Sequence, residues 1–226
     1  DVTYTQKQGK PGVEIYTSDN IIDLLDIRVR DNTLYIGFKK NTSVSYNKLE
    51  IRVSSNDLKS ISVAGSGNIT LANGLSTANN FTINIAGSGN VYGEGLRCGN
   101  LAAYIAGSGN IKANGITCNK LKTSIVGSGD LSLQGIKTDG VACAISGSGT
   151  AVLTGTAQSA SYSISGSGDL KASSLEVANI SASISGSGDI KCFATESLKA
   201  RTSGSGKVGY KGNPRVDYPT KSLVRL

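Results

Sequence analysis

Residues 101–111, LAAYIAGSGNI, contain the pattern that decides the fold. Their central Gly-Ser-Gly tripeptide occurs eight times in the 226-residue chain, at successive intervals of 22, 20, 20, 20, 19, 20 and 18 residues. Repetition at this period is typical of proteins built from one structural unit stacked on copies of itself. The paired glycines that we expect to form turns are Gly65 and Gly67, Gly87 and Gly89, Gly107 and Gly109, Gly127 and Gly129, Gly147 and Gly149, Gly166 and Gly168, Gly186 and Gly188, and Gly204 and Gly206.

Apolar residues alternate with small polar ones on both sides of each tripeptide. Two residues before the first glycine the chain has valine or isoleucine in seven copies, and Thr202 in the last. Four residues after it the side chain is again apolar, as at Ile111. This period of two predicts a β-strand on each side of a tight glycine turn. A second glycine, such as Gly115, predicts a further bend in several copies.

A unit of about 20 residues with two short strands cannot enclose a core alone, but stacked copies can. We therefore predict an all-β protein whose main part is a right-handed parallel β-helix, or β-solenoid, of about eight coils. Equivalent strands of successive coils would pair in parallel, about 4.8 Å apart. The alternative is an antiparallel meander or barrel with hairpin turns, but hairpins would repeat every 8–12 residues or so.

The pattern divides the chain into three parts. Residues 1–57 lack the tripeptide but alternate strongly, so we expect β-strands that form either irregular first coils or a small sandwich capping the solenoid. Residues 58–212 would form the repeat solenoid. Residues 213–226 would form a basic C-terminal cap, because Gly212, Asn213 and Pro214 interrupt the repeat.

The positive charge is concentrated at one end. The formal net charge is +7, and the last thirty residues carry seven basic side chains against the single acid Asp217. This end either contacts an acidic ligand or serves as a solvated cap that prevents stacking of solenoids. Aromatic residues do not alternate with these charges, so we expect no nucleic-acid partner. The basic residues are Lys199, Arg201, Lys207, Lys211, Arg215, Lys221 and Arg225.

The four cysteines occupy positions that are apolar in other copies. Cys98 and Cys118 are equivalent residues of successive repeats, whereas Cys143 and Cys192 replace core aliphatic residues. The first two are neighbours that either form a disulfide or remain core thiols. The chain has no histidine and no Cys-x-x-Cys motif, so we predict no metal site and no cofactor.

A polar residue follows each turn, three positions after its first glycine. Asn and Asp at such corners bond nearby backbone groups, and their stacked side chains can hydrogen-bond along a solenoid. Asp169 and Asp189 would be adjacent, but two carboxylates are too few to predict a calcium site. The eight residues are Asn68, Asn90, Asn110, Asp130, Thr150, Asp169, Asp189 and Lys207.

The outward residues of the strand before each turn are unusually small and almost uncharged, whereas solvated faces of sheets usually carry more Lys and Glu. This Ser/Ala face would be covered by another protomer, by the N-terminal strands or by an extended ligand, or it is a solvated Ser-rich surface. Our candidate binding residues are Tyr104, Ser124, Ser163 and Ser183. The face comprises Ser60, Ser62, Ala64, Thr82, Asn84, Ala86, Ala102, Tyr104, Ala106, Lys122, Ser124, Val126, Ala142, Ala144, Ser146, Ser161, Ser163, Ser165, Ser181, Ser183 and Ser185.

The recurring Ile-x-Gly-Ser-Gly-[Asn/Asp]-[Ile/Leu/Val] pattern after an alternating β region resembles the putative auto-transporter adhesin "head GIN domain" family. The resemblance covers residues 12–212 and implies a pectin-lyase-like parallel β-helix, export in a Bacteroidetes-type bacterium and a role in cell adhesion. It supplies no catalytic residues to carry over. Thr150 and Lys207 depart from the Asn/Asp position, which argues against a continuous ligand ladder.

Two classes of function compete. The first is a non-enzymatic, exported adhesin or scaffold of the cell surface, outer membrane or periplasm that binds a host surface, a glycan or an envelope component. The second is a polysaccharide-binding or polysaccharide-degrading β-helix protein, although its acids are scattered over the coils rather than paired. A periplasmic envelope or lipid-binding accessory module is a further alternative. The Ser/Ala face is also the candidate interface of a homo-oligomer, in particular a trimer.

Overall fold

The structure is a computed structural model that describes residues 1–40, 42, 49–217 and 222–226. Lys221, one of the basic residues expected in the C-terminal cap, lies outside the described residues. The described part is almost entirely β-strand, with one short helix, α1 (Asp19–Ile22). None of its helices has the length and apolar character needed to cross a membrane.

The N-terminal region contributes five strands before the repeats begin. The first two flank a long turn, the next two form a hairpin, and the fifth leads into the solenoid. Their bounds are β1 (Val2–Gln6), β2 (Gly12–Thr17), β3 (Leu25–Arg30), β4 (Thr33–Phe38) and β5 (Leu49–Ser55).

The repeat region continues with fifteen strands, several of which run through a bend into the next segment of the coil. Their bounds are β6 (Ser60–Gly65), β7 (Asn68–Leu71), β8 (Leu75–Ser76), β9 (Phe81–Gly87), β10 (Asn90–Arg97), β11 (Asn100–Gly107), β12 (Asn110–Thr117), β13 (Lys120–Gly127), β14 (Asp130–Gly147), β15 (Thr150–Gly166), β16 (Asp169–Gly186), β17 (Ile190–Gly204), β18 (Val208–Lys211), β19 (Arg215–Asp217) and β20 (Leu223–Arg225).

Equivalent strands of successive coils pair in parallel and in register. Gly107 of β11, for example, lies between Gly87 of β9 and Gly127 of β13. The chain therefore forms a parallel β-solenoid of about eight turns, which confirms the predicted architecture. The antiparallel meander or barrel is wrong, because the repeats pair strand on like strand rather than hairpin on hairpin.

Each regular coil has three straight segments, which we call walls. The first wall precedes the Gly-Ser-Gly turn (residues 100–107 in one coil), and the second wall follows it (110–114). A short third wall (116–117) follows the bend at Gly115, whose φ of +69° favours glycine. In later coils the pairing register shifts at this second corner, as between Val152 and Thr154.

The N-terminal region is divided between strands that join the sheet of the solenoid and a separate hairpin. Strand β1 pairs in parallel with β5 on one side and with β7 on the other, so it extends the second wall. Strand β2 pairs antiparallel with β5, and β3 pairs only with β4 in a separate two-stranded sheet. The hairpin turn places Asp31 and Asn32 at φ 50° and 56°, the conformation that a two-residue type I′ turn requires.

The core lies between the walls and is filled by stacked aliphatic side chains. The residue two before each first glycine is buried from Val63 to Ile184, and each such burial contributes roughly 1.5–3 kcal/mol. The largest fully buried side chain belongs to Tyr162, which is flanked in its column by the smaller residues Cys143 and Ala182. Its hydroxyl has no hydrogen-bond partner among the residues that the structure describes.

The Gly-Ser-Gly corners bring successive coils into direct backbone contact. The carbonyl of Gly87 accepts hydrogen bonds from the N–H groups of Ser108 (2.9 Å) and Gly109 (3.0 Å) in the next coil. A Cβ atom on Gly109 would lie 2.2 Å from the carbonyl oxygen of Gly89, far inside van der Waals contact. Only the first corner, whose Gly67 has nothing within 4 Å of such a Cβ among the described residues, is free of this restriction.

We expect the substitution Gly109→Ala to lower the free energy of unfolding by about 2 kcal/mol or more, because the added methyl group overlaps backbone and must separate two coils. The matched variant Gly67→Ala should change it by less than about 0.5 kcal/mol. Thermal and urea denaturation of both variants measure the difference. Equal free energies of unfolding for the two variants would contradict the proposed reason for glycine at the third position of the tripeptide.

We expect Tyr162→Phe to raise the free energy of unfolding by about 1 kcal/mol, because it removes a buried hydroxyl that lacks a partner. Tyr4→Phe is the control, because the Tyr4 hydroxyl lies 3.0 Å from Oγ of Ser55 and its removal should cost about 1 kcal/mol. Urea denaturation compares the two. Destabilisation by Tyr162→Phe would show that its hydroxyl is satisfied in solution.

Candidate functional site

The Ser/Ala face is the outward surface of the first wall. Alternation places Ile105 and Ile125 in the core and directs the intervening side chains outward, where they are exposed or half-buried. Strands β1 and β5 join the second wall and so do not cover this face. A ligand, another protomer and bulk solvent remain among the possibilities considered from the sequence.

All four candidate binding residues lie in one column along the middle of the face. Tyr104 pairs with Ser124, and Ser163 pairs with Ser183. Tyr104 and Ser124 are half-buried, whereas Ser163 and Ser183 are exposed. Ala144 connects the two pairs in register, so the structure brings these residues into one line but not into one pocket.

The serines of the later coils form a regular array. Ser161, Ser163 and Ser165 pair in register with Ser181, Ser183 and Ser185 of the next coil, and all six are exposed. Hydroxyl groups are therefore repeated about every 4.8 Å along the solenoid axis and about every 6.6 Å along each strand. Such an array can donate and accept hydrogen bonds toward a long ligand that lies across several coils.

A shallow depression of about 220 Å³ lies at the C-terminal end of this array. Ser163, Ser183 and Ser203 line it together with Arg201, which continues the column of candidate binding residues. From the sequence we counted Arg201 with the basic C-terminal end, which either contacts an acidic ligand or serves as a solvated cap, and not with this face. Counting three residues back from Gly204 would have placed Arg201 in the column.

The electrostatic character of the Ser/Ala face is positive. Lys122, Lys199 and Arg201 occupy outward positions, and no outward position of the first wall between residues 60 and 204 carries Asp or Glu. Asp217 is the neighbour of Lys199 in the strand register of β17 and β19, and its Oδ1 lies 3.7 Å from Nε of Arg215. The face therefore favours anionic or neutral polar ligands over cationic ones.

The corner residues form a hydrogen-bonded ladder beside the face. Nδ2 of Asn90 donates to Oδ1 of Asn68 (2.7 Å), and Nδ2 of Asn110 donates to Oδ1 of Asn90 (2.8 Å). Oδ1 of Asn110 in turn accepts from the backbone N–H of Asp130 (3.1 Å), and Oδ1 of Asp130 accepts from that of Thr150 (3.1 Å). The Oδ1 atoms of Asn110 and Asp130 thus accept hydrogen bonds from backbone N–H groups of the next coil.

The ladder is interrupted at Thr150, as the sequence suggested. The N–H of Asp169 donates to the carbonyl of Gly149 (3.1 Å), and side-chain bonding resumes where Oδ1 of Asp169 accepts from the N–H of Asp189 (3.1 Å). Oδ1 of Asp189 then accepts from the N–H of Lys207 (2.8 Å). Within the described ranges, no group of three or more His, Cys, Asp or Glu is placed to hold a metal ion.

The cysteines are free thiols, buried except for the half-buried Cys98. Burial raises the pKa of the Cys143 thiol to about 11 and that of the Cys192 thiol to about 12. Both side chains are also enclosed by the core, with 3% and 0% of their surface exposed, so reagents cannot reach them. Cys143 and Cys192 are therefore packing residues rather than reactive groups.

A second shallow depression, of about 300 Å³, lies on the outer surface of the second wall. Tyr92, Lys112 and Gln134 line it, and Glu94 places a carboxylate among them. Its mixed charge and exposed aromatic ring are ordinary for a solvated surface. The regular hydroxyl array makes the Ser/Ala face the stronger candidate.

The family model of the putative auto-transporter adhesin, head GIN domain, matches residues 1–119 and 116–214. The chain belongs to this family. None of the curated proteins matches the sequence.

Three crystal structures resemble the whole chain, and each time the match covers 85% of the other protein. One, named a putative lipid binding protein, is from Parabacteroides distasonis and is 30% identical with a TM-score of 0.71. A putative adhesin from the same organism is 26% identical with a TM-score of 0.74. A putative adhesin from Parabacteroides merdae is 25% identical with a TM-score of 0.70.

We expect Asn110→Ala to lower the free energy of unfolding by about 1 kcal/mol, because it removes both the bond to Asn90 and the acceptor for the N–H of Asp130. Thr150→Ala is the control, because the ladder uses the backbone N–H of Thr150 and not its side chain. Urea denaturation should separate the two variants. If Thr150→Ala costs as much, the ladder contributes nothing specific.

Proposed function

We propose that this protein is a non-enzymatic adhesion module, exported to the bacterial cell surface, that binds an extended acidic polysaccharide along the Ser/Ala face. The in-register array of exposed serine hydroxyls, which ends at Arg201, carries this proposal. Hydroxyl groups repeated over several coils match the repeated hydroxyl groups of a polysaccharide chain. The cationic end of the array favours carboxylate or sulfate groups on that chain.

Membership of the family supports the proposed location. An adhesin-type family implies an exported or surface protein, and the cell surface is where a polysaccharide ligand would be met. The fold also suits the cell surface, because a solenoid presents a long surface that is available for binding. Outer membrane and periplasm are the alternative locations.

A non-enzymatic role agrees with how the acids are distributed. Glycoside hydrolysis uses two carboxyl groups on either side of the scissile bond. The Ser/Ala face has no such pair between residues 60 and 204, and the Oδ1 atoms of Asp130, Asp169 and Asp189 at the adjoining corner accept backbone hydrogen bonds. The two depressions are also shallow, whereas active sites are usually concave and exclude water.

We expect the purified protein to bind acidic polysaccharides on a glycan array, and Ser163→Trp to weaken that binding at least tenfold, because the indole would lift the ligand off the flat face. Ser132→Trp on the second wall is the matched control and should bind normally. Binding should weaken as salt is raised, since charge pairs are screened. No new reducing ends or unsaturated products should appear during incubation.

Three outcomes would overturn the proposal. Equal losses in both tryptophan variants would mean that the Ser/Ala face is not the site. Binding to phospholipid vesicles but to no polysaccharide would favour a lipid-surface role instead. A trimer in light scattering that Ser163→Trp dissociates would show that this face is an interface between protomers.

A further inference from the structure

The third corner of the solenoid, between the third wall and the next first wall, brings two cysteines together. Cys98 follows Arg97, which pairs with Thr117, and precedes Asn100, which pairs with Lys120. Cys118 occupies the equivalent place in the next coil. The register on both sides of the corner therefore makes Cys98 and Cys118 direct neighbours in one column.

The backbone around this pair is held in place from both sides. The N–H of Cys98 donates to the carbonyl of Thr117 (3.1 Å), and the N–H of Asn119 donates to the carbonyl of Gly99 (2.7 Å). In-register neighbours of parallel strands are about 4.8 Å apart, within the Cα separation of roughly 4.4–6.8 Å seen in disulfides. A bond between the two sulfur atoms therefore requires side-chain rotation rather than movement of the coils.

The other two cysteines lack such a neighbour. Cys143 lies between Thr123 and Tyr162 in its column, and Cys192 lies between Ala172 and Tyr210. Both are buried in the core, whereas Cys98 is half-buried and a small reagent can reach it. Cys98 and Cys118 are therefore adjacent thiols, and the half-buried Cys98 gives a small reagent access to the pair.

The pKa shift of Cys98 agrees with the proximity of the two thiols. Burial raises the pKa of the Cys98 thiol to about 11, and the neighbouring Cys118 thiol contributes to the rise. Burial also raises the pKa of the Cys118 thiol, although a hydrogen bond to Thr138 opposes it. Sγ of Cys118 donates to Oγ1 of Thr138 at 3.7 Å, a weak contact that rotation toward Cys98 would break.

We propose that Cys98 and Cys118 are a disulfide-forming pair that staples one coil of the solenoid to the next. The reaction uses an external disulfide as oxidant. The Cys98 thiolate attacks one of its sulfur atoms, forming a mixed disulfide and releasing one thiol. The Cys118 thiolate then displaces the second thiol, so the pair loses two electrons and two protons and the oxidant becomes two thiols. Export, proposed above, would expose the protein to such oxidants.

The staple would add a covalent link between two coils that hydrogen bonds and core contacts already join. Coils otherwise contact only their neighbours, so opening can begin at any weak junction. A bond between Cys98 and Cys118 closes a loop of about 20 residues and restricts the unfolded chain. We expect oxidation to raise the midpoint of thermal unfolding by roughly 5–10 °C, since loops of this size stabilise appreciably.

The test treats the purified wild-type protein with oxidised glutathione at about pH 9, where more of each thiol is ionised, and then alkylates it in denaturant. Intact mass should show two alkylated cysteines after oxidation and four after reduction. Peptide mapping should find a cross-link between Cys98 and Cys118. Cys98→Ser should keep all three remaining thiols free, whereas Cys143→Ser should still form the cross-link and show the thermal shift.

Four alkylated cysteines in the oxidised wild-type protein would overturn the proposal, as would a cross-link that joins any other pair. Persistent glutathione adducts on Cys98 without ring closure would also refute it, since they would mean that Cys118 cannot reach the mixed disulfide. The mass measurements use the wild-type chain, so a variant that fails to fold leaves the test intact. Polysaccharide binding is measured separately and does not depend on this result.

Discussion

The contact between backbone atoms at the Gly-Ser-Gly corner is the constraint on which the rest of the solenoid depends. One glycine carbonyl accepts two N–H groups from the following coil, and the second glycine lies directly against the backbone of the coil before it. A side chain at Gly109 or its equivalents would remove that contact, because the nearest carbonyl oxygen leaves no room for Cβ. Each corner thereby fixes the height and the register of the strands on both sides.

Because the register is fixed, equivalent residues of successive coils stack into columns. Inward columns become the aliphatic core, and the outward columns of the first wall become the Ser/Ala face. The same rule explains features with unrelated chemistry: the amide ladder from Asn68 to Asn110, the row of serines that ends at Arg201, and the adjacent thiols of Cys98 and Cys118. A change at one position therefore acts through its two column neighbours before it affects anything else.

The sequence predicted the parts of the fold that repeat and missed the parts that do not. Valine or isoleucine two residues before seven of the eight first glycines sufficed to assign the coils and the core, because the same apolar position recurs in each of these copies. The place of β1 between β5 and β7 could not be inferred, since that pairing joins distant segments with no shared motif. The register shifts at the second corner, near Val152, likewise depend on local packing rather than on pattern.

The candidate site was predictable in outline for the same reason. The column of Tyr104, Ser124, Ser163 and Ser183 follows from alternation alone. The depression at its end was not predicted, because Thr202 breaks the apolar pattern and the residues beside it looked like part of a cap. The identity of the proposed ligand could not be predicted, because a repeat pattern carries no information on chemistry outside the chain.

At the Gly-Ser-Gly corners, the hydrogen bonds of the serine and the second glycine run one way, from N–H donors in a later coil to a glycine carbonyl in an earlier one. The stack consequently has a polarity, like a filament with unlike ends, although it is a single chain. A residue more or less within a coil is absorbed by the register shifts at the second corner, whereas a change in the length of the rod requires a complete coil with its own Gly-Ser-Gly turn. Evolution of a longer or shorter rod therefore proceeds by duplication or loss of complete turns, and the length of the Ser/Ala face changes in the same steps.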